Sequence, residues 1–426
     1  MALKRVEIRL KDDRNFQGVL LPEANGKISL KLSSGYNLVV EKKEIKSIKT
    51  LQKIETKKIK EVSYKKVNSL PTISILHTGG TIASKVSYET GGVSSQFSPE
   101  DLIEMYPELK GIANIESRLI QNMWSDDLRF KHFEILAKAI ESEIKKKVKG
   151  IIIGMGTDNL TVASAALSFI IENPSIPILL VGAQRSSDRG STDAAVNLIS
   201  AAKFITKTDF QGVAVCMHGG SGDDYCLILP ATKTKKLHTS RRDAFKPVND
   251  SAIAKISGDG SITFLKRHEK NNKKMLIRPR MEDKVGLIKI TINMNPKQFE
   301  FFNDYKGLII EGTGLGHTPG DVVDKHTKPN EKIIKAIEKL TKSCVVVMTS
   351  TCLFGRVNMN VYSKGHKLQN AGVIGNLTDM LPETAFVKLA WLLGNYKKEE
   401  VKELMCKNLR GEISSNSSEE WEIKEN

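Results

Sequence analysis

Two threonines stand out for the chemistry they could share. Residues 75–82 read Ile-Leu-His-Thr-Gly-Gly-Thr-Ile and residues 151–158 read Ile-Ile-Ile-Gly-Met-Gly-Thr-Asp, so Thr81 and Thr157 each follow an apolar run that ends in glycine. A neutral threonine is a weak nucleophile and needs a base or a charge relay beside it. Thr157-Asp158 supplies one half of such a relay. The segment Ala231-Thr232-Lys233-Thr234-Lys235-Lys236 offers three lysines for the other half. A lysine held between a hydroxyl and a carboxylate has its proton affinity tuned by both and can help deprotonate the hydroxyl. A hydrolase or amidase acting on small polar substrates is the first reading. Each residue also has a plainer role open to it. Asp158 could N-cap a helix over 161–171, and the lysine segment could be a solvated basic turn in which two of the lysines stay ordinary surface charges.

Other candidates are weaker. Ser125-Asp126-Asp127 precedes a helical pattern and either caps it or binds substrate; Gln184 and Arg185 end a strand and either shape a pocket or fix the strand-end loop. His77 ends a strand and reads as structural. Metal chemistry has little support, because the eight histidines form neither HExxH nor a close His/Cys cluster. Residues 312–316 lack the lysine and hydroxyl of a P-loop, and no GxGxxG fingerprint suggests a nucleotide hydride carrier, so no cofactor is expected in this chain. The five cysteines show no CxxC spacing; Cys216 and Cys344 sit in apolar runs as small hydrophobes, and a reducing cytoplasm fits them best.

The elements that must position these groups follow from periodicity. Residues 6–10, 16–21, 27–32, 36–40 and 45–48 read as short strands, with Asn25-Gly26 as a hairpin signal. Five strands in so short a stretch suggest a small barrel, since closure removes exposed edges. Residues 51–69 read as a lysine-rich connector. From Thr72 strands and helices alternate. Strands are expected at 73–77, 151–153, 178–181 and 212–217, and helices at 99–105, 130–147, 161–171 and 193–204. Near-continuous apolar strands imply a parallel sheet covered on both faces, whose carboxyl edge is where ligand crevices form. A second, smaller α/β unit has strands at 285–290, 307–311 and 344–349 and helices at 332–340, 382–393 and 401–409. Residues 411–426 read as a frayed polar tail.

The chain carries 65 Lys and Arg against 49 Asp and Glu, a formal charge of +16. Residues 1–70 hold 17 of the former and 8 of the latter, so more than half of the excess lies at one end. Such a concentration suits an anionic partner, nucleic acid first, with a lysine-rich surface selected for solubility as the alternative. No long apolar run suggests a membrane span, and the first residues lack a signal-peptide core, so a cytoplasmic protein with no membrane partner is expected.

Taken together, residues 77–84 (HTGGTIAS), 154–160 (GMGTDNL), 181–185 (VGAQR), 236–245 (KLHTSRRDAF) and 312–317 (GTGLGH) resemble the L-asparaginase family over about residues 72–410. More narrowly, the basic prefix, Ser34-Gly35-Tyr36-Asn37, Asn122-Met123-Trp124-Ser125 and residues 355–362 (GRVNMNVY) resemble the D-subunit family of archaeal glutamyl-tRNA(Gln) amidotransferases. The resemblance implies an α/β fold: a large asparaginase-like parallel-sheet domain and a smaller α/β domain, preceded by a small SH3-like β-barrel. The corresponding divisions are a basic barrel over 1–60, a linker over 61–71, a catalytic domain over 72–275, a C-terminal α/β domain over 276–410 and a tail over 411–426.

The same resemblance implies a threonine-nucleophile amidase. Thr81 attacks the side-chain amide, supported by Thr157, Asp158 and Lys236. Asp158 holds the substrate α-ammonium and Ser125, beside Asp126, its α-carboxylate. Lys236 is preferred to Lys235 for its nine-residue offset to Phe245, although a shift by one stays open. Tyr88 is the nearest lid tyrosine, with Gly91-Gly92 as hinge, and backbone N–H groups around Gly80 or Gly156 would stabilise the oxyanion. Implied partners are the E subunit of the amidotransferase, which binds ATP and Mg2+, Glu-tRNA(Gln), glutamine or asparagine as amide donor, and a second copy of the chain, in an assembly of two D and two E subunits. An autonomous cytoplasmic asparaginase and a non-enzymatic tRNA-binding adaptor are the alternatives.

Overall fold

A computed structural model describes residues 4–21, 23, 26–32, 37–53, 66–80, 85–86, 93–94, 99–185, 192–268, 270 and 272–417. The first strands are β1 (Lys4–Leu10), β2 (Asn15–Leu20), β3 (Lys27–Leu32), β4 (Asn37–Glu41) and β5 (Ile45–Lys53). They form an antiparallel sheet in the order β4-β3-β2-β1-β5. Gly26, at φ +70°, supplies the left-handed turn residue between β2 and β3. Alternation sends Val6, Ile8, Leu10, Ile28, Leu30 and Val40 into one small core. β5 runs further than expected and consumes the start of the connector, because Gln52 and Lys53 pair with Arg5 and Lys4. Two register shifts in this pairing bend the sheet.

The next unit starts with β6 (Thr72–His77), the short pair β7 (Lys85–Val86) and β8 (Val93–Ser94), and α1 (Pro99–Met105). It continues through β9 (Asn114–Leu119), α2 (Phe130–Lys145), β10 (Gly150–Gly154), α3 (Leu160–Ile170), β11 (Ile171–Glu172), β12 (Pro177–Val181) and α4 (Ala194–Lys207). After it come β13 (Gly212–His218), β14 (Tyr225–Pro230), β15 (Thr234–Lys236), β16 (Phe245–Pro247), β17 (Ala254–Ser257), β18 (Ile262–Phe264) and β19 (Leu276–Ile277). Eight of these strands make one sheet, ordered β18-β17-β14-β13-β12-β10-β6-β9. Only the last five are parallel; β14, β17 and β18 are antiparallel, so the expected parallel sheet is a mixed one. The sequence reading missed β9 and β14. β9 is half polar, which hides it from an apolar-run criterion.

Within the parallel part the chain order is 2-1-3-4-5, with β6 first, β9 beside it and β10 on its other side. Crossovers leave β6 in opposite directions, and a crevice opens at such a switch point outside the carboxyl ends of the strands. The strand side chains divide cleanly. Ile151, Ile153, Ile178 and Leu180 pack with α2 and α3, while Ile73, Ile75, Ile152, Leu179 and Val181 pack with α1 and α4. That two-sided burial is why these strands are apolar throughout.

The third unit holds β20 (Val285–Lys289), α5 (Lys297–Glu300), β21 (Gly307–Gly312), α6 (Asn330–Ser343), β22 (Val345–Ser350), α7 (Ser363–Asn370), α8 (Pro382–Asn395) and α9 (Lys398–Met405). Its sheet is parallel, β20-β21-β22. Through α8 it shares a core with α3, where Trp391 stacks on Phe169. No helix among the described residues is long and apolar enough to cross a membrane.

Of the expected tail, residues 411–417 are held rather than frayed, and residues 418–426 lie outside the described residues. Glu412 is fully buried, lies 2.6 Å from the equally buried Lys388 of α8, and accepts the backbone N–H groups of Leu409 and Arg410. Burial holds the Lys388 ammonium below its ordinary proton affinity, against the opposing pull of Glu412. Removing one member strands a charge in the core. Glu412→Ala should therefore destabilise by about 3–5 kcal/mol, with much of the loss recovered in Lys388→Met/Glu412→Leu. Chemical denaturation checks this, and a single-variant cost below about 1 kcal/mol would contradict the buried pairing.

Candidate active site

The two glycine-ended strands are neighbours. β6 and β10 pair in parallel with His77 opposite Gly154, so their carboxyl ends emerge together at one edge. Thr78 N–H donates to Gly154 O at 3.0 Å and Met123 N–H to Thr78 O at 3.1 Å. Gly79 and Gly80 take φ of +104° and +84°. A Cβ on Gly80 would stand 2.4 Å from Gly156 N, and one on Gly79 would stand 2.4 Å from Met123 O. Glycine is required here by both conformation and contact. His77 is buried against Ser117, with Nε2 3.1 Å from its hydroxyl, and burial lowers its pKa to about 4. It is a structural, neutral side chain.

Beyond β10, Thr157 and Asp158 meet Lys236. Lys236 Nζ donates to Thr157 Oγ1 at 2.9 Å and to Asp158 Oδ1 at 2.7 Å. The lysine side chain is 13% exposed and the Asp158 side chain 64%, so the carboxylate stands at the open mouth and the amine beneath it. Asp158 does not cap α3, whose N-cap is Asn159 without a side-chain bond. Lys236 lies on β15, in a ribbon with β16 rather than in a loose turn. The expectation that two of the three lysines are surface charges fails. Lys233 is fully buried and donates to Asp379 at 2.6 Å, and Lys235 bonds Glu383 on α8. Of Lys235 and Lys236, it is Lys236 whose amine lies at Thr157.

Ser125 is buried, and its Oγ accepts the Asn159 N–H at 3.3 Å while its carbonyl accepts Asn159 Nδ2 at 2.9 Å. A Cβ on Gly156 would reach Ser125 Oγ at 3.0 Å, which ties this loop to the end of β10. Neither Asp126 nor Asp127 caps α2; its N-cap is Arg129, whose N–H donates to His132 Nδ1 at 2.9 Å. A cleft of about 180 Å³ opens among these groups, lined by Gly80, Ser125, Asp126, Gly156, Thr157, Asp158 and Lys236. Trp124, Ala183, Gln184 and Thr239 complete its wall. Asp193 accepts the backbone N–H groups of Gln184 and Arg185 at 3.0 and 2.9 Å, so of that pair Gln184 lines the cleft and both are fixed at the strand end. Thr239 went unnoticed in the sequence; its place on the turn just after Lys236 was the available signal. Thr81, Tyr88 and the Gly91-Gly92 hinge lie outside the described residues. No group of three or more His, Cys, Asp or Glu side chains among the described residues could hold a metal ion.

An amine in contact with a hydroxyl and a carboxylate can exchange a proton with the hydroxyl. Glycine backbone at the cleft floor lets a substrate carbonyl approach main-chain N–H groups. Those are the parts of an acyl-transfer site. Comparison with known proteins agrees with that chemistry. The asparaginase N-terminal family model matches residues 72–270, the glutaminase/asparaginase C-terminal domain 284–405, and the GatD N-terminal domain 2–51. The D subunit of glutamyl-tRNA(Gln) amidotransferase from Pyrococcus abyssi is 41% identical over 416 residues, spanning 95% of this chain and 92% of that protein. That of Methanococcus maripaludis strain C5 is 44% identical over 413 residues, spanning 95% and 96%. The chain belongs to the D-subunit family of glutamyl-tRNA(Gln) amidotransferases.

Among solved structures, the thermostable L-asparaginase from Thermococcus kodakarensis matches with a TM-score of 0.71 at 29% identity, covering 81% of this chain and all of that one. L-asparaginase I from Vibrio cholerae, at 24% identity and a TM-score of 0.68, supports the fold alone. In this member of the D-subunit family, Gly80→Ala should lower stability by at least about 1–2 kcal/mol from its positive φ alone. Denaturation of Gly111→Ala is the control, since a Cβ at Gly111 meets nothing within 4 Å. Equal stability of the two variants would contradict the close approach at Gly80.

Proposed function

We propose that this chain is the amide-hydrolysing D subunit of a tRNA-dependent amidotransferase. It releases ammonia from glutamine or asparagine. A separate E subunit uses ATP with Mg2+ to activate the γ-carboxylate of glutamate on Glu-tRNA(Gln), and ammonia converts it to Gln-tRNA(Gln). The observation that carries the reading is the cleft in which Gly80, Thr157, Asp158 and Lys236 meet at the β6–β10 switch point.

In this reading Thr81, the residue after Gly80, attacks the side-chain amide carbon. As the Thr81 Oγ1–carbon bond forms, the Thr81 O–H bond breaks and its proton passes to the Thr157–Lys236 pair; main-chain N–H groups near Gly80 or Gly156 stabilise the tetrahedral oxyanion, and the carbon–nitrogen bond breaks. The nitrogen leaves as ammonia, carrying a proton delivered through Thr157 and Lys236, and water then hydrolyses the acyl ester. Asp158 binds the substrate α-ammonium, Ser125 binds its α-carboxylate, Asp126 lines the same substrate pocket, and Tyr88 belongs to a lid hinged at Gly91-Gly92.

The wider assembly follows the same reading. The five-stranded sheet closes as an SH3-like barrel within a basic division at 1–60, followed by a linker at 61–71, a catalytic domain at 72–275 and a C-terminal domain at 276–410. The lysines and arginines of the barrel contact tRNA. Two D subunits pair and join two E subunits. The likeness to the Thermococcus L-asparaginase gives a second reading, an autonomous asparaginase with an accessory domain.

The test couples ammonia release to amidation of Glu-tRNA(Gln), with and without the E subunit, for both amide donors. Gln-tRNA(Gln) should form only with both subunits, and Thr81→Ala should abolish glutamine-dependent amidation while added ammonium salts still support it. Rapid turnover of free asparagine by the chain alone, without stimulation by its partner, would favour the asparaginase reading.

A further inference from the structure

The ribbon that carries Lys236 is supported from the other unit. Among the described residues β15 and β16 pair only with each other, and a lone two-stranded ribbon is marginal in water. The direction in which Lys236 points therefore depends on what grips the ribbon from outside. Adjacent residues on a strand face opposite ways. Lys236 turns to Thr157 and Asp158, and Lys235 turns away to Glu383 in the first turn of α8. Just before the strand, buried Lys233 reaches Asp379, and Thr384 Oγ1 donates to Thr232 O at 2.9 Å. Residues 379, 383 and 384, from the first turn of α8 and the segment just before it, thus hold residues 233, 235 and 232. The grip is itself anchored, because Asp379 Oδ1 accepts the Ser414 N–H at 2.9 Å and Asp379 O accepts Asn249 Nδ2 at 3.2 Å.

We propose that Asp379 and Glu383 are positioning residues for amide hydrolysis, holding the β15 ribbon so that the Lys236 amine stays in register with Thr157 and Asp158. Neither carboxylate lines the cleft, so both act through the ribbon. The inference rests on the catalytic reading of Lys236 proposed above. It makes ammonia release depend on how the C-terminal unit seats against the catalytic one, and it assigns work to the two lysines that do not reach the cleft.

The experiment uses the full chain assembled with its E subunit and Glu-tRNA(Gln), with ammonia release from glutamine as the readout. Glu383 is the residue to vary, because its side chain is 37% exposed and its loss should leave the fold intact. Misplacing a catalytic group by a fraction of a side-chain length costs about ten- to a hundredfold in rate, which is the kcat loss expected for Glu383→Gln. The KM for glutamine should stay within about twofold, since substrate contacts are untouched. Thermal stability should be unchanged, and Glu383→Asp should restore part of kcat. Lys236→Met, run in parallel, should be inactive. A wild-type kcat in Glu383→Gln beside an inactive Lys236→Met overturns the positioning role and leaves the catalytic reading standing. A wild-type kcat in Lys236→Met overturns both. A kcat loss accompanied by thermal destabilisation and not relieved by Glu383→Asp marks Glu383 as merely structural and overturns the proposal.

Discussion

Everything at this site depends on the in-register parallel pairing of β6 with β10. Setting His77 opposite Gly154 ends two strands at the same level, and glycines at both ends let the following loops approach until a single methyl group would collide. A shift of one residue would turn each side chain to the other face of the sheet. Two segments far apart in the chain thereby become one wall of a cleft. Helix pairs on both faces support the register, because alternate strand residues are buried in the core on one face or the other.

The lysine comes from elsewhere, and its placement is where the C-terminal unit enters the site. β15 lies off the main sheet and is steadied by α8, which also shares its apolar face with α3. One fully buried lysine, Lys233, crosses the seam to the buried carboxylate of Asp379. Such pairs add little net stability over apolar packing but penalise any misfit heavily. A seam built this way favours one docking geometry over many near alternatives, which is what a proton-transfer contact of 2.9 Å requires.

Much of this was legible in the sequence, for identifiable reasons. Apolar runs ending in glycine located β6 and β10, and the pairing of a glycine-threonine turn with a Thr-Asp turn located the cleft. The offset from Lys236 to Phe245 selected the lysine that meets Thr157, because both residues lie opposite one another on the ribbon. What escaped was set by long-range contact. β9 is half polar and is a strand only because β6 offers it an edge. Lys233 and Lys235 looked like solvated charges because Asp379 and Glu383, about 150 residues on, carry no local signature. Residues 411–417 read as frayed because nothing near Glu412 in sequence announces Lys388.

The central claim is that an amide donor binds where these strand ends and Lys236 meet. A crystal structure of the chain with bound aspartate or glutamate, the acid products, tests it most directly. The account predicts the product's α-ammonium at Asp158 and its side-chain carboxylate between the Gly80–Gly156 backbone and Lys236. Product seated instead in the larger groove at the opposite edge of the sheet, beside Lys147 and Lys149, with the β6–β10 cleft empty, would contradict it.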